Sequence, residues 1–89
     1  MRAVEIEIRN PSGLHARPAA VFVKAAAAFR STVTVENLTR EAPPVNAKSI
    51  LSVIGLDVRQ GEEIVITAEG DGADTALYQL AAMVTGSGA

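Results

Sequence analysis

Eighty-nine residues, with ten acids, eight bases and a net charge of −2, suit one small domain and give no basic field for nucleic acid or anionic lipid. Hydrophobic residues make up 48% of the chain but aromatic ones only 3%, so the core must be aliphatic. The lack of cysteine excludes disulfides and thiolate chemistry, and a single histidine cannot build a multi-histidine metal site.

Residues 3–9, AVEIEIR, alternate Val4, Ile6 and Ile8 with charged residues, which predicts a strand with one buried face. NPSG, residues 10–13, reads as a loop. A helix is expected from about Ala16 to Phe29, with Ala19, Phe22, Ala26 and Phe29 as its apolar stripe. TVTVE, residues 32–36, alternates again with Val33 and Val35 inward. NLTREAPPV, residues 37–45, should return as a strand near Val45. Pro43 and Pro44 cannot donate to a ladder, so this segment belongs on a sheet edge, partly irregular.

AKSILSVI, residues 47–54, predicts a short helix with Asn46 as its N-cap and Gly55 as its stop. Gln60-Gly61 predicts a turn. EEIVITA, residues 62–68, predicts a strand with Ile64, Ile66 and Ala68 on one face. The last helix is expected over 73–84, carrying Leu77, Leu80, Ala81 and Val84 on one side, with TGSGA as a frayed tail. The order β-α-β-β-α-β-α predicts an α+β domain over 1–89. Its economical packing is one open antiparallel sheet with helices over a single face. No apolar run approaches a membrane span, and the N-terminus lacks the ordered segments of a signal peptide. Neither membrane insertion nor export is therefore expected.

The only histidine, His15, stands immediately before the first helix. Pro18 is tolerated in that first turn, where backbone N–H groups lack intrahelical partners. The N–H groups of Ala16 and Arg17 face an anion there, and the Arg17 guanidinium is a planar fork suited to phosphate oxygens. Ser12 adds a hydroxyl, and Ser12 with Gly13 keeps the approach small. The helix end and Arg17 both favour neutral imidazole, which is a nucleophile. These residues form a coherent phosphate-accepting group. A lone histidine at a helix start is nonetheless most often a solvated residue or a cap.

Two longer motifs add to that reading. GLHARPAA, residues 13–20, resembles the active-site segment of the HPr family, the histidine-containing phosphocarriers of the bacterial phosphotransferase system. NAKSILSVIGLDVRQGEEIVITAEG, residues 46–70, resembles that family's middle and last-strand region. The resemblance implies an open-faced β-sandwich, a four-stranded antiparallel sheet with three helices on one face. It implies that His15 takes a phosphoryl group on Nδ1 from phosphoenolpyruvate by way of enzyme I, and passes it to sugar-specific IIA components. Arg17 would be the phosphate partner. Ser49 would match the serine modified by an HPr kinase/phosphorylase. Ala20, Ile50, Leu51 and Ile54 would dock partners.

Such a chain is a stoichiometric carrier without turnover, cofactor or metal, expected to be cytoplasmic and monomeric. A carrier of a nitrogen-related or regulatory phosphorelay would share the site. A non-phosphorylated binding module would share only the fold. The segment 37–45 is longer and richer in proline than the family's usual hairpin.

Overall fold

The computed structural model describes residues 2–85, so residues 86–89 of the expected tail lie outside the described residues. The chain runs β1 (Arg2–Glu7), α1 (Ala16–Ala27), β2 (Thr32–Asn37), β3 (Val45–Asn46), α2 (Ile50–Gly55), β4 (Glu63–Glu69) and α3 (Ala73–Thr85). The four strands form one antiparallel sheet in the order β1-β4-β2-β3. β4, last in sequence, lies between β1 and β2, so α1 is the connection between two strands of like direction.

Register follows the alternation. Ile6 faces Ile64 across β1 and β4, while Ile66 lies between Val4 and Val35. Ile6, Ile64, Ile66, Ala68, Val33 and Val35 are buried, and the intervening threonines, glutamates and Val65 occupy the other face. α3 packs on β1 and β4 through Ala76, Leu77, Leu80 and Val84. α1 packs against α2 and α3 and buries Ala19, Phe22 and Ala26, with Phe29 half-buried. Phe22 is the only fully buried aromatic among the described residues, and burying a side chain of that size contributes about 1.5–3 kcal/mol.

Three local outcomes differ from the sequence expectation. α1 stops at Ala27, two residues early, in a tight turn closed by Ala28 N–H to Ala25 O and Phe29 N–H to Ala26 O. The Lys48 ammonium donates to the Phe29 carbonyl at 2.8 Å, a cation at the negative end of the helix. Asn46 is not the N-cap of α2. It pairs with Thr34 in β3, and its Oδ1 accepts from Lys48 N–H at 2.9 Å, closing a turn ahead of the helix. The N-cap is Ser49, whose hydroxyl accepts from Ser52 N–H, so Ser49 precedes the first turn rather than lying in it. The proline-rich segment behaves as expected: past Asn37, the last residue of β2, pairing resumes only at Val45 and Asn46, on the edge of the sheet.

Candidate functional site

Gly13 explains how the histidine loop is placed. It is buried and takes φ +60°, and a Cβ there would stand 2.1 Å from the Val58 carbonyl oxygen. The approach is small, as expected, and close packing is the reason. Gly13 is there because two stretches of backbone meet with no room for a side chain. Next to it, Leu14 N–H donates to the same Val58 carbonyl at 3.0 Å, and the Leu14 side chain is buried. The loop before α1 is thus fastened to the loop between α2 and β4.

His15 follows as the N-cap of α1, with extended backbone (φ −123°, ψ 158°) and no hydrogen bond from its side chain to its own helix. No acidic residue occupies the first turn. The N–H groups at the start of α1 are thus left without a capping side chain. The ring turns to a residue the sequence reading had not singled out. His15 Nε2 lies 3.2 Å from Asp57 Oδ1, with both side chains little more than a third exposed. The carboxylate thus stands against the Nε2 side of the ring, and Nδ1 is the nitrogen on the other side. The sequence reading weighed only positive groups around the ring, but the structure sets a carboxylate against it.

Asp57 belongs to a chain of charges. Its Oδ2 meets Arg59 at 3.1 Å and Arg40 at 3.4 Å. Arg40 also reaches Glu62 at 2.9 Å, and Glu62 accepts from buried Asn37 and from Arg59 N–H. Asn37 Nδ2 in turn donates to the Leu56 carbonyl, beside Asp57. The Arg59 guanidinium holds the Asp57 carboxyl below its usual range, first by its hydrogen bond and then by its charge, with Arg40 and His15 adding to it. Glu62 is also held low, chiefly by the Arg59 backbone N–H and then by Asn37 and Arg40. In sequence, the sign of this cluster was four charged residues, Asp57, Arg59, Glu62 and Glu63, around a turn in an otherwise apolar stretch.

The remaining expected residues fall as follows. Ala16 opens α1, and Arg17 follows it, exposed and without an ion pair among the described residues. Ser12 is exposed two residues before Leu14. Its N–H donates to Asn10 Oδ1 at 2.9 Å, and among the described residues its hydroxyl makes no bond to the ring. On the neighbouring helices, Ala20 and Ile50 are exposed and Leu51 is 80% exposed. Ile54, expected with them, is instead half-buried against the core. No group of three or more potential metal ligands occurs among the described residues, and no helix is long and apolar enough to cross a membrane.

Residues 3–85 match the family described as "PTS HPr component phosphorylation site". The chain belongs to the HPr family. It is 49% identical over 72 residues to the phosphocarrier protein HPr of Streptomyces coelicolor, covering 81% of this chain and 75% of that one. It superposes on HPr-C-His from Thermoanaerobacter tengcongensis with a TM-score of 0.91 at 42% identity, covering 98% of this chain and 94% of the other. The open sheet with three helices is thus the HPr fold, and the phosphocarrier role in the phosphotransferase system is that of the family.

The multiphosphoryl transfer protein of Haemophilus influenzae is 45% identical over 73 residues, 82% of this chain. This chain spans only 15% of that protein's length. The catabolite repression protein Crh of Bacillus subtilis, with a TM-score of 0.74 at 40% identity and coverage of 98% and 97%, is described as a domain-swapped dimer. The expected monomeric state therefore does not follow from the family.

Proposed function

We propose that this chain carries a phosphoryl group on His15 Nδ1, taking it from phospho-enzyme I and giving it to sugar-specific IIA components. The observation that carries this reading is the state of the ring. His15 caps α1 without bonding to it, and Nε2 is engaged by Asp57, which leaves Nδ1 as the nucleophile. The first-turn N–H groups of Ala16 and Arg17, the Arg17 guanidinium and the Ser12 hydroxyl supply donors for phosphate oxygens.

The exposed apolar residues Ala20, Ile50 and Leu51, backed by Ile54, form the surface on which enzyme I and IIA components dock. Ser49 borders that surface and is the site a regulatory HPr kinase/phosphorylase would modify. The chain acts as a stoichiometric carrier, a substrate and donor for transferring enzymes, as a cytoplasmic monomer and a single HPr-like domain over 1–89. The test is incubation with enzyme I and labelled phosphoenolpyruvate. Acid-labile label that is absent from His15→Ala is the expected result, whereas acid-stable label would place the phosphate on a hydroxyl.

A further inference from the structure

Asp57 occupies the left-handed backbone region, φ 52°, where glycine, asparagine and aspartate are the residues tolerated. Its position is fixed from both sides. Asp57 N–H closes the end of α2 on the Ile54 carbonyl at 3.0 Å, and the adjoining Val58 carbonyl takes Leu14 N–H. Its carboxylate is held from behind by Arg59 and Arg40, which take Oδ2, while Oδ1 receives the imidazole at 3.2 Å and Arg59 Nε at 3.4 Å. The charged groups facing it are His15 from the start of α1, Arg40 from the β2–β3 connection and Arg59 from its own loop, with Glu62 beyond Arg40.

We infer that Asp57 is a positioning residue for phosphoryl transfer: it accepts the Nε2–H hydrogen bond of His15, fixes the tautomer that presents Nδ1, and stands as the counter-charge once the ring carries phosphorus. This rests on His15 being the acceptor. In the loading step the Nδ1 lone pair attacks phosphorus. The donor's bond to phosphorus breaks, and its electron pair stays on the donor. Nε2 keeps its proton, so the ring of the product bears a positive charge beside Asp57. In the unloading step the acceptor's lone pair attacks phosphorus, and the pair of the Nδ1–P bond returns to Nδ1. Asp57 neither gives nor takes a proton in either step, and its two arginines keep it ionised throughout. The arrangement follows the logic by which a carboxylate behind a catalytic histidine sets its tautomer and orientation.

The test uses Asp57→Gly and Asp57→Asn, both compatible with the left-handed backbone. Nitrogen NMR of the ring in the unphosphorylated protein should show the Nε2–H tautomer in the wild type. Its Nε2 proton should exchange about fivefold or more slowly than in Asp57→Gly, as expected for a partly exposed charge-assisted bond. Asp57→Asn keeps an acceptor oxygen and should retain part of that protection.

Phosphorylation by phospho-enzyme I should slow by about three- to tenfold in Asp57→Gly and by less in Asp57→Asn, with the loss in kcat and KM for the carrier little changed. A ring in Asp57→Gly indistinguishable from wild type in tautomer and exchange overturns the inference, even if transfer is slowed. So does an altered ring with transfer at the wild-type rate. A wild-type protein that takes no phosphoryl group at all would instead sink the functional reading of His15, and this inference with it.

Discussion

The two short stretches that open α1 and α2 each place at the N-cap a residue proposed to carry phosphate, and they treat it in opposite ways. Ser49 turns its hydroxyl inward to its own helix, accepting from Ser52 N–H. His15 makes no side-chain bond to its helix and sets its ring against Asp57 across the fold, at 3.2 Å. A cap that serves its helix satisfies the helix's first N–H groups. A cap that looks elsewhere leaves them for an anion.

The sharpest way to break this contrast is His15→Ala. The ring makes no bond within its helix and is only half-buried, so the fold should survive with an unchanged circular dichroism spectrum. Acceptance of phosphoryl from phospho-enzyme I should be abolished. Labelling at the wild-type level would move the chemistry elsewhere. Arg17→Ala should follow in size. A hydrogen bond to a charged group contributes about 1.5–3 kcal/mol, so transfer should slow roughly ten- to a hundredfold while thermal stability holds. Unchanged rates in both directions would remove Arg17 from the site.

Gly13→Ala probes the fastening between the two loops. The new Cβ meets backbone at Val58, which cannot swing aside, and the φ is left-handed, so the cost should exceed about 2 kcal/mol in urea unfolding. The 3.2 Å approach of His15 to Asp57 should be lost with it. A variant as stable as wild type would show that the loops have room to separate.

How much of this was visible in the sequence depends on how local the cause is. Strand and helix faces were legible because alternation and helical spacing act within a few residues: Ile6, Val33, Ile64 and Ile66 are buried where the pattern puts them. The edge position of Val45 followed from two prolines that cannot donate. The place of His15 and Arg17 at a helix start was legible from the proline beside them, whereas their assignment to a site rested on the resemblance of GLHARPAA to the HPr family. Asp57 was not, since it lies 42 positions from His15 and meets it only through the Gly13–Val58 contact. The N-cap of α2 was misplaced because Asn46 and Ser49 are both good caps. Pairing of Asn46 with Thr34 in the sheet decided between them.

At the second helix the effects should be smaller. The Ser49 cap bond is long at 3.4 Å, so Ser49→Ala should cost only about 0.5 kcal/mol, the weak end of the range for lost caps. Ser49→Asp should keep the fold, aspartate being an equally good cap. It should weaken association with enzyme I or IIA components at low salt by placing a charge beside exposed Ile50 and Leu51. Calorimetry showing wild-type affinity for both partners at low salt would remove α2 from the docking surface.

The smallest effect separates the two helix entrances by pH. The loop before α1 is fastened next to Asp57 and Glu62, whose carboxyls are both held below their usual range, while the cap of α2 is a neutral hydroxyl. A carboxyl with a lowered folded-state pKa contributes stability that is fully present above its unfolded value. That stability is lost as pH falls through the lowered one. Acidification below the ordinary carboxylate values of 3.8 for Asp57 and 4.5 for Glu62 should therefore loosen the first entrance before the second. Hydrogen exchange, corrected for its intrinsic pH dependence, reads this directly. Protection of Leu14 N–H should fall over that acid range, while protection of Ser52 N–H should hold. In Glu62→Gln the Leu14 response should flatten, because Asn37, Arg40 and the Arg59 N–H then face a neutral amide whose protonation no longer changes. Equal acid sensitivity at Leu14 and Ser52 in the wild type would mean that the two entrances open together, and that the charge chain behind His15 does not set the stability of its loop.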